Sequence, residues 1–415
     1  MIDGGNASEL PGEIVLRIGS TERVCIVRAG LSDRTDPRSD DSAFPVPKQR
    51  APTQCGAHNQ LSTAPLNGVR RDNMSAPLLE VEDLTIQYST SEGPVTAVSN
   101  ASFTVDRSEY FGLVGESGCG KSTIAKALVG GLDDNGYVES GTISLRGTEI
   151  QDFSEREWNE EVRWDDISLI PQSSMNSLDP LGRMSDQAVE IAQTHTDMTR
   201  EEALDRFREL FEIVGLQPER IDEYPHQFSG GMSQRVIIAL ALYLDPDLII
   251  ADEPTTALDV IMQDQVFRHL DQLRDEFDTS MILITHDISL VFESCDSMAV
   301  MHAGQIAETG SVFDLYDEPR HPYSILLQES FPDVSDPERE LGTIDGTPPQ
   351  LFGDVSECSF ADRCPWAVEE CTASEPPLEP IDGNPDHRGA CFRRDEVHEL
   401  YERDRTPSPA GGDGA

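Results

Sequence analysis

A glycine-rich segment between an apolar run and a helix-like run constrains the fold of this chain more than any other feature. It fits the pattern G-x-x-x-x-G-K-[ST], in which glycines let backbone N–H groups approach an anion closely. The apolar run at 110–114 predicts a strand before it, and the run at 123–129 predicts a helix after it. This context predicts a phosphate-binding loop (P-loop), formed by Gly115, Glu116, Ser117, Gly118, Cys119, Gly120, Lys121, Ser122 and Thr123.

The P-loop predicts a nucleoside triphosphate and Mg²⁺ as ligands. Lys121 is expected to contact the β- and γ-phosphates, and the Ser122 hydroxyl is expected to bind Mg²⁺. Two adjacent carboxylates, Asp252 and Glu253, end a later apolar run. We expect Asp252 to hold Mg²⁺ through its water shell and Glu253 to polarise the water that attacks the γ-phosphate.

Two more polar side chains follow apolar runs. Gln172 comes after the run at 167–170, and its amide suits a metal or water ligand. His286 comes after the run at 281–285, where it is expected to reach the γ-phosphate. Ligands of open α/β sheets bind beyond the carboxyl ends of the strands, and these residues therefore belong with the P-loop.

The order of the apolar and helix-like runs predicts an α/β fold. From the P-loop onward, near-continuous apolar strands alternate with helix-like segments at 185–220, 234–244 and 260–277. This pattern is typical of a mainly parallel sheet covered on both faces. Before the P-loop, residues 78–88 alternate between apolar and polar side chains and, with 95–105, predict short antiparallel strands. Tyr88 on the first of them either packs as a half-buried strand residue or stacks on a purine ring.

A second glycine-rich segment precedes the helix-like run at 234–244. It contains Ser229, Gly230, Gly231 and Gln234. Ser229 is either only the N-cap of this helix, or part of a second anion site made of a hydroxyl, glycine amides and a helix N-terminus. One nucleotide site does not need two such segments, whereas a head-to-tail dimer does.

The charge of the chain excludes some classes of partner. The 415 residues include 77 acidic and 31 basic side chains, which gives a net charge of −46. Such a field repels nucleic acid and anionic lipid. Only Lys48, Lys121 and Lys126 are lysines, and an acidic, lysine-poor chain is typical of a cytosol at very high salt, as in a halophilic archaeon. No apolar stretch is long enough to span a membrane, and no secretory signal is evident.

The motifs occur in an order that resembles the nucleotide-binding subunits of ABC transporters. The resemblance covers about residues 78–330. It implies a P-loop ATPase domain with a mainly parallel core, an antiparallel β subdomain and a helical subdomain. It also implies that Tyr88 stacks on adenine, that Gln172 couples the site to a membrane partner, that Asp259 lies at a dimer seam and that His286 acts as a switch. The motif residues are Tyr88, 115–123, Gln172, 229–235, 248–253, 257–259 and His286.

Further segments resemble the ATPases of dipeptide and oligopeptide importers. These are 252–260, His321-Pro322-Tyr323, 346–349 and a cysteine-rich end. The resemblance implies peptide import, a paralogous or identical ATPase partner, two permeases, an extracellular binding protein and a place at the cytoplasmic membrane face. Nickel importers carry similar motifs and are the alternative. A soluble ABC ATPase is disfavoured because the sequence has one P-loop and no long insertion between its motifs.

Four cysteines near the carboxyl end predict a metal site. Intervals of five, six and nineteen residues separate Cys358, Cys364, Cys371 and Cys391. In a reducing cytosol four thiolates suit either Zn²⁺ or an iron–sulfur cluster, and the spacing leaves both open. The family resemblance implies a [4Fe–4S] cluster in some members.

The composition divides the chain into four regions. Residues 1–74 are expected to be a disordered extension, with Met74 as an alternative start of translation. Residues 75–320 form the predicted ATPase domain, 321–400 the carboxyl-terminal extension with the four cysteines, and 401–415 a disordered tail.

Overall fold

The apolar runs of the sequence form the strands of two sheets. The computed structural model describes residues 76–172, 177–254, 263, 279–331, 342–347, 349, 351–352 and 357–405. The strands within these residues are β1 (Leu79–Thr90), β2 (Gly93–Val105), β3 (Tyr110–Val114), β4 (Gly136–Leu145), β5 (Thr148–Glu149), β6 (Ile167–Ile170), β7 (Leu248–Asp252), β8 (Ser280–Thr285), β9 (Ser297–His302), β10 (Gln305–Ser311), β11 (Leu351–Phe352), β12 (Glu379–Ile381) and β13 (Asn384–Gly389).

Helices separate most of the strands of the larger sheet. The α-helices of the described residues are α1 (Lys121–Leu128), α2 (Glu155–Glu157), α3 (Met184–His195), α4 (Arg200–Ile213), α5 (Gly230–Ala241), α6 (Ile288–Ser294), α7 (Val312–Asp317), α8 (Pro322–Glu329), α9 (Glu369–Ala373) and α10 (Val397–Arg405). Short helical turns of other types lie at Trp158–Val162, Pro218–Asp222, Pro225–Gln227 and Ala361–Arg363.

The larger sheet has β3, the strand before the P-loop, near its centre. Its strand order is β12-β13-β10-β9-β3-β8-β7-β6. Strands β9, β3, β8, β7 and β6 run parallel to one another. The register pairs Val114 with Thr285 and Ala251 with both Leu283 and Ile170, so the carboxyl ends of these strands are aligned. The prediction of a mainly parallel sheet is therefore confirmed for this part of the sheet.

The parallel strands are buried on both faces. In β7, Ile249 and Ala251 belong to one apolar cluster, and Leu248 and Ile250 belong to another. Successive side chains of a strand point to opposite faces, so each face of the sheet carries its own core. This explains why the strand sequences read as continuous apolar runs.

The smaller sheet is antiparallel, as the alternating sequence before the P-loop predicts. Its order is β11-β2-β1-β4-β5. Strand β1 is irregular between Val81 and Gln87, and Asp83 within it has a positive φ of 47°. The N–H of Asp83 donates to the Ser102 hydroxyl of β2 at 2.8 Å, which holds the irregular segment against its neighbour.

The carboxyl-terminal extension continues the larger sheet. Strand β13 pairs with β10, and β12 pairs with β13. The carboxylate of Glu308 on β10 is fully buried and accepts the N–H groups of Arg320 and His321, at 2.7 and 3.0 Å. His387 Nε2 on β13 lies 2.8 Å from the same carboxylate. One buried side chain of the larger sheet thus joins the start of α8 to β13.

Two of the segments predicted from sequence lie almost wholly outside the described residues. The helix expected at 260–277 and the extension expected at 1–74 lie outside them, apart from Gln263, which is helical.

The helix-like run at 185–220 forms two helices, because Thr199 caps α4 by accepting from the Glu202 N–H. Helix α10 continues to Arg405, five residues into the segment predicted to be a disordered tail, and residues 406–415 lie outside the described part.

In the described portion of the chain, none of the helices combines the length and the apolar character that crossing a bilayer requires.

Two histidines are buried where α8 meets the extension. His321 is 3% exposed and His302 is 1% exposed. Burial and the neighbouring positive charge of Arg363 lower the pKa of His302 to about 3. Burial and the neighbouring His302 ring lower the pKa of His321 to about 3. Both rings are therefore neutral in the folded chain, whereas in the unfolded chain they take up protons near pH 6.5.

We predict that His321 makes stability fall in weak acid. Because its folded-state pKa is depressed, the unfolded chain binds the extra proton, and wild type loses about 1.4 kcal/mol per pH unit between pH 6 and 4 relative to a variant without this group. His321→Asn is suitable, since an Asn side chain can still accept from the Tyr323 N–H that His321 Nδ1 accepts at 3.0 Å. Denaturant unfolding of both proteins across this pH range measures the difference, and parallel pH profiles would refute it.

Candidate nucleotide site

Four loops that carry predicted site residues lie at one edge of the larger sheet. The P-loop follows β3, Gln172 follows β6, Glu253 follows β7 and His286 follows β8. Because these strands are parallel and aligned, their carboxyl ends form one continuous edge.

The Glu253 carboxylate is held between two of the predicted residues. Gln172 Nε2 donates to Glu253 Oε2 at 2.9 Å, and His286 Nδ1 lies 3.3 Å from Oε1. Glu253 itself has a positive φ of 47°, a conformation that costs free energy for a side chain of this size, and its N–H donates to the Ile284 carbonyl at 2.8 Å. The structure therefore brings Gln172, Glu253 and His286 together, although they are far apart in sequence.

Asp252 has the features of a group that lacks a ligand. It is 3% exposed, and its Oδ1 has no hydrogen-bond partner among the described residues. Burial raises the pKa of Asp252, and a hydrogen bond from Ser122 lowers it by a smaller amount. Buried carboxylate oxygens are normally satisfied, so the contact with Ser122 and the free Oδ1 fit the predicted Mg²⁺ site.

Two glycines of the P-loop pack closely against the backbone of neighbouring segments. A Cβ atom on Gly115 would lie 2.1 Å from the Met301 carbonyl oxygen, and one on Gly120 would lie 2.4 Å from the Ala97 carbonyl oxygen. Gly120 also has a φ of 107°, which favours glycine. The Lys121 ammonium donates to the Gly115 and Glu116 carbonyls at 2.8 and 2.9 Å, so it lies inside the loop.

The second glycine-rich segment begins α5. The exposed Ser229 side chain accepts from the Met232 N–H at 3.4 Å, which confirms the predicted N-cap. Gly231 and Gln234 are buried in the first turns of the helix, and Gly230 is half-buried. Asp259, the predicted dimer-seam residue, lies outside the described residues.

Tyr88 is half-buried near the end of β1, opposite Val95 of β2 and Gly136 of β4. A Cβ on Gly136 would lie 2.8 Å from the Tyr88 ring, so the ring covers this glycine. The packing interpretation is visible in this contact, and adenine stacking stays a prediction.

The four carboxyl-terminal cysteines line one pocket. Cys358, Cys364, Cys371 and Cys391 share it with His321, Phe360 and Trp366. Burial raises the pKa of Cys358 to about 11 and that of Cys364 and Cys391 to about 12. Within the ranges that the structure covers, no three His, Cys, Asp or Glu side chains are arranged to hold a metal ion. The donor set thus suits Zn²⁺ or an iron–sulfur cluster, but the sulfur positions do not form a coordination site.

Sequence reasoning missed residues that reach the P-loop from the extension. Arg363 contacts the Glu116 carboxylate although the two residues are 247 positions apart in the sequence. The hydroxyl of Tyr323 accepts the Glu116 N–H at 3.0 Å, a role that the segment His321-Pro322-Tyr323 did not predict. The tripeptide His321-Pro322-Tyr323 was the one sequence signal for these contacts with the P-loop, because no local pattern identifies Arg363.

Two family models match the chain. Residues 98–256 match the ABC transporter model, and residues 307–371 match the carboxyl-terminal region of oligopeptide/dipeptide transporters. The first match contains the P-loop, Gln172, Ser229 and Glu253, and the second contains Tyr323 and Arg363.

Solved structures resemble the fold over the ATPase region. A dimeric ATP-binding cassette in a post-hydrolysis state bound to ADP and Pi superposes with a TM-score of 0.51 at 25% identity, over 56% of this chain and 98% of that one. The cbiO1 subunit of the cbiONQ ABC transporter complex from Clostridium perfringens has a TM-score of 0.51 at 26% identity, over 61% of this chain and 94% of its own.

Curated relatives are similar to this chain over about three quarters of its length. The oligopeptide transport ATP-binding protein OppD of Salmonella typhimurium is 44% identical over 76% of this chain and 93% of its own length. OppD of Escherichia coli is 42% identical over 80% and 97%, and the dipeptide transport ATP-binding protein DppD of Haemophilus influenzae is 40% identical over 73% and 92%. The chain therefore belongs to the family of ATP-binding subunits of oligopeptide and dipeptide ABC transporters.

Proposed function

We propose that this chain hydrolyses ATP to drive the import of dipeptides or oligopeptides through a membrane ABC transporter. The observation that carries the proposal is the Glu253 carboxylate between Gln172 and His286, on the sheet edge that also carries the P-loop. Support for peptides as the transported class comes from the oligopeptide transport proteins that are similar to this chain along about three quarters of its length.

Each residue of the candidate site has its own role in the proposed hydrolysis. Lys121 neutralises phosphate charge, and the Ser122 hydroxyl with the Asp252 carboxylate would hold Mg²⁺, which supplies further positive charge at the phosphates. Glu253 accepts a proton from the attacking water, and Gln172 and His286 fix the orientation of its carboxylate. Water then attacks the γ-phosphorus, and ADP leaves as the β–γ bridging oxygen takes the electron pair.

A second ATPase subunit would complete the site. Ser229 is exposed and caps α5, so its hydroxyl and the first N–H groups of the helix can face a γ-phosphate bound by another subunit. We infer a head-to-tail dimer of this chain with a paralogue or with itself, docked at the cytoplasmic face of two permeases. An extracellular binding protein would deliver the solute.

The acidic, lysine-poor composition supports adaptation to high salt. With a net charge of −46, repulsion within the chain is strong at low ionic strength and is screened within about 3 Å at 1 M salt. We therefore propose a halophilic source, and assays belong in molar salt.

The four cysteines of the extension are proposed to bind Zn²⁺ or an iron–sulfur cluster. They line one pocket, and burial raises the pKa of the Cys364 and Cys391 thiols, which must lose their protons when a metal binds. Such a group would stabilise the extension by tying Cys358, Cys364, Cys371 and Cys391 together, and no step of hydrolysis depends on it.

We predict that Glu253→Gln abolishes turnover but preserves ATP binding. The amide can still accept from Gln172 Nε2, but it cannot take a proton from water. ATPase activity should fall about 100-fold or more while the dissociation constant of ATP stays within about twofold. Steady-state phosphate release and equilibrium titration with MgATP measure the two quantities.

The exposed Glu92→Gln in the turn after β1 is the matched control and should leave both quantities unchanged. Uptake of a labelled peptide should stop in cells that carry Glu253→Gln. Near-normal ATPase activity in that variant would contradict the role of Glu253. Continued uptake of labelled nickel but not of peptide in wild type would contradict the proposed solute.

We predict that Cys364→Ser removes metal from the extension. Wild type purified without oxygen should contain iron or zinc by elemental analysis, and the variant should contain much less because one thiolate ligand is missing. Cys295→Ser is the matched control, since Cys295 is buried near α6, outside the four-cysteine pocket. Wild type without iron or zinc would refute the metal site.

A further inference from the structure

Glu116, the second residue of the P-loop, is held at every polar group that it has. Its N–H donates to the Tyr323 hydroxyl at 3.0 Å, and its carbonyl accepts from Lys121 Nζ at 2.9 Å. Its carboxylate accepts two hydrogen bonds from Arg363. Two of these three partners belong to the carboxyl-terminal extension rather than to the ATPase domain.

The contact between Arg363 and Glu116 has the geometry of a strong ion pair. Arg363 Nη1 donates to Oε2 at 2.7 Å, and Nη2 donates to Oε1 at 2.9 Å. The side chain of Arg363 is 6% exposed and that of Glu116 is 25% exposed. A two-pronged, largely buried pair fixes both the position and the orientation of the carboxylate.

Other groups hold the Arg363 guanidinium in place. Its Nε donates to the Asp345 carbonyl at 2.8 Å, and its Nη1 lies 3.0 Å from His302 Nε2. Because arginine has no acceptor, His302 Nε2 must be the unprotonated nitrogen, and Nδ1–H then donates to the Ser359 hydroxyl at 3.0 Å. The low pKa of His302 agrees with this neutral ring.

Tyr323 is fixed by packing. It is fully buried, and its ring lies 4.7 Å from the His302 ring and 5.3 Å from the Phe360 ring, centroid to centroid. The hydroxyl therefore has little freedom to leave the Glu116 N–H. Burial raises the pKa of Tyr323, so the hydroxyl keeps its proton at any physiological pH.

We propose that Arg363 and Tyr323 are positioning residues that hold the P-loop in its phosphate-binding shape. Lys121 must give up its contacts with the Gly115 and Glu116 carbonyls to reach a phosphate. Glu116 then keeps its contacts with Tyr323 and Arg363 of the extension, beside the Cys119 N–H that its carbonyl accepts at 3.3 Å within the loop. Because the extension still holds Glu116, the loop does not have to be ordered by the nucleotide. A preorganised loop binds more tightly because less conformational freedom is lost on binding.

The inference rests on the proposed ATP site, and variants of single groups test it. Tyr323→Phe removes only the acceptor of the Glu116 N–H. Arg363→Met removes both hydrogen bonds and the charge, and Arg363→Lys keeps the charge without the two-pronged geometry. Arg394→Met is the matched control, since Arg394 pairs with Glu379 elsewhere in the extension. MgATP affinity, KM and kcat are measured in molar salt for each folded variant.

We expect ATP affinity to fall about tenfold in Arg363→Met and about threefold in Tyr323→Phe, with KM rising in parallel. Arg363→Lys should lie between wild type and Arg363→Met. We expect kcat to change less than about twofold, because Glu253 is untouched. Arg394→Met should match wild type in affinity.

A double-mutant cycle separates positioning from general destabilisation. Glu116→Gln in the Arg363→Met background should weaken ATP binding no further than Arg363→Met alone, because the two side chains act as one pair. Affinities of Arg363→Met and Tyr323→Phe equal to wild type would overturn the inference, as would an equal loss in Arg394→Met. If Arg363→Met fails to fold, Tyr323→Phe and Arg363→Lys decide alone. Wild type that does not bind MgATP would instead refute the proposed function.

Discussion

The parallel register of β3, β8, β7 and β6 is the constraint on which the nucleotide site depends. It aligns the ends of four strands that are far apart in sequence, so that short loops after them meet at one edge. A shift of one residue in any pair would turn the buried side chains of that strand to the other face and destroy both cores. The same packing that stabilises the sheet therefore sets the position of Glu253 relative to Gln172 and His286.

The carboxyl-terminal extension is structurally part of the ATPase. Its β13 lengthens the larger sheet, and the buried Glu308 carboxylate binds both its start and its last strand. The extension also contacts the P-loop, because Arg363 pairs with the Glu116 carboxylate. The candidate nucleotide site is thus supported both by the sheet and by the extension, and the proposed second subunit would complete it.

Much of this arrangement follows from sequence, because it depends on local patterns. Continuous apolar runs predicted β3 and β6 at their observed bounds, and the P-loop pattern predicted the strand–loop–helix unit. The meeting of Gln172, Glu253 and His286 followed from one topological rule for parallel sheets. The pair of Arg363 and Glu116 could not be predicted, because nothing in either local sequence names a partner 247 residues away. The four cysteines line one pocket, but among the described residues they do not form the metal site that four thiolates predicted, because residue identity alone does not fix the sulfur positions.

Amide hydrogen exchange at Glu116 tests most directly whether the extension holds the P-loop. This N–H has the Tyr323 hydroxyl as its acceptor, so the nucleotide-free wild-type chain should protect it. The Tyr323→Phe variant should exchange this amide about tenfold faster, while amides of the buried strand β3 keep their wild-type rates. Equal exchange at Glu116 in the two proteins would contradict the account.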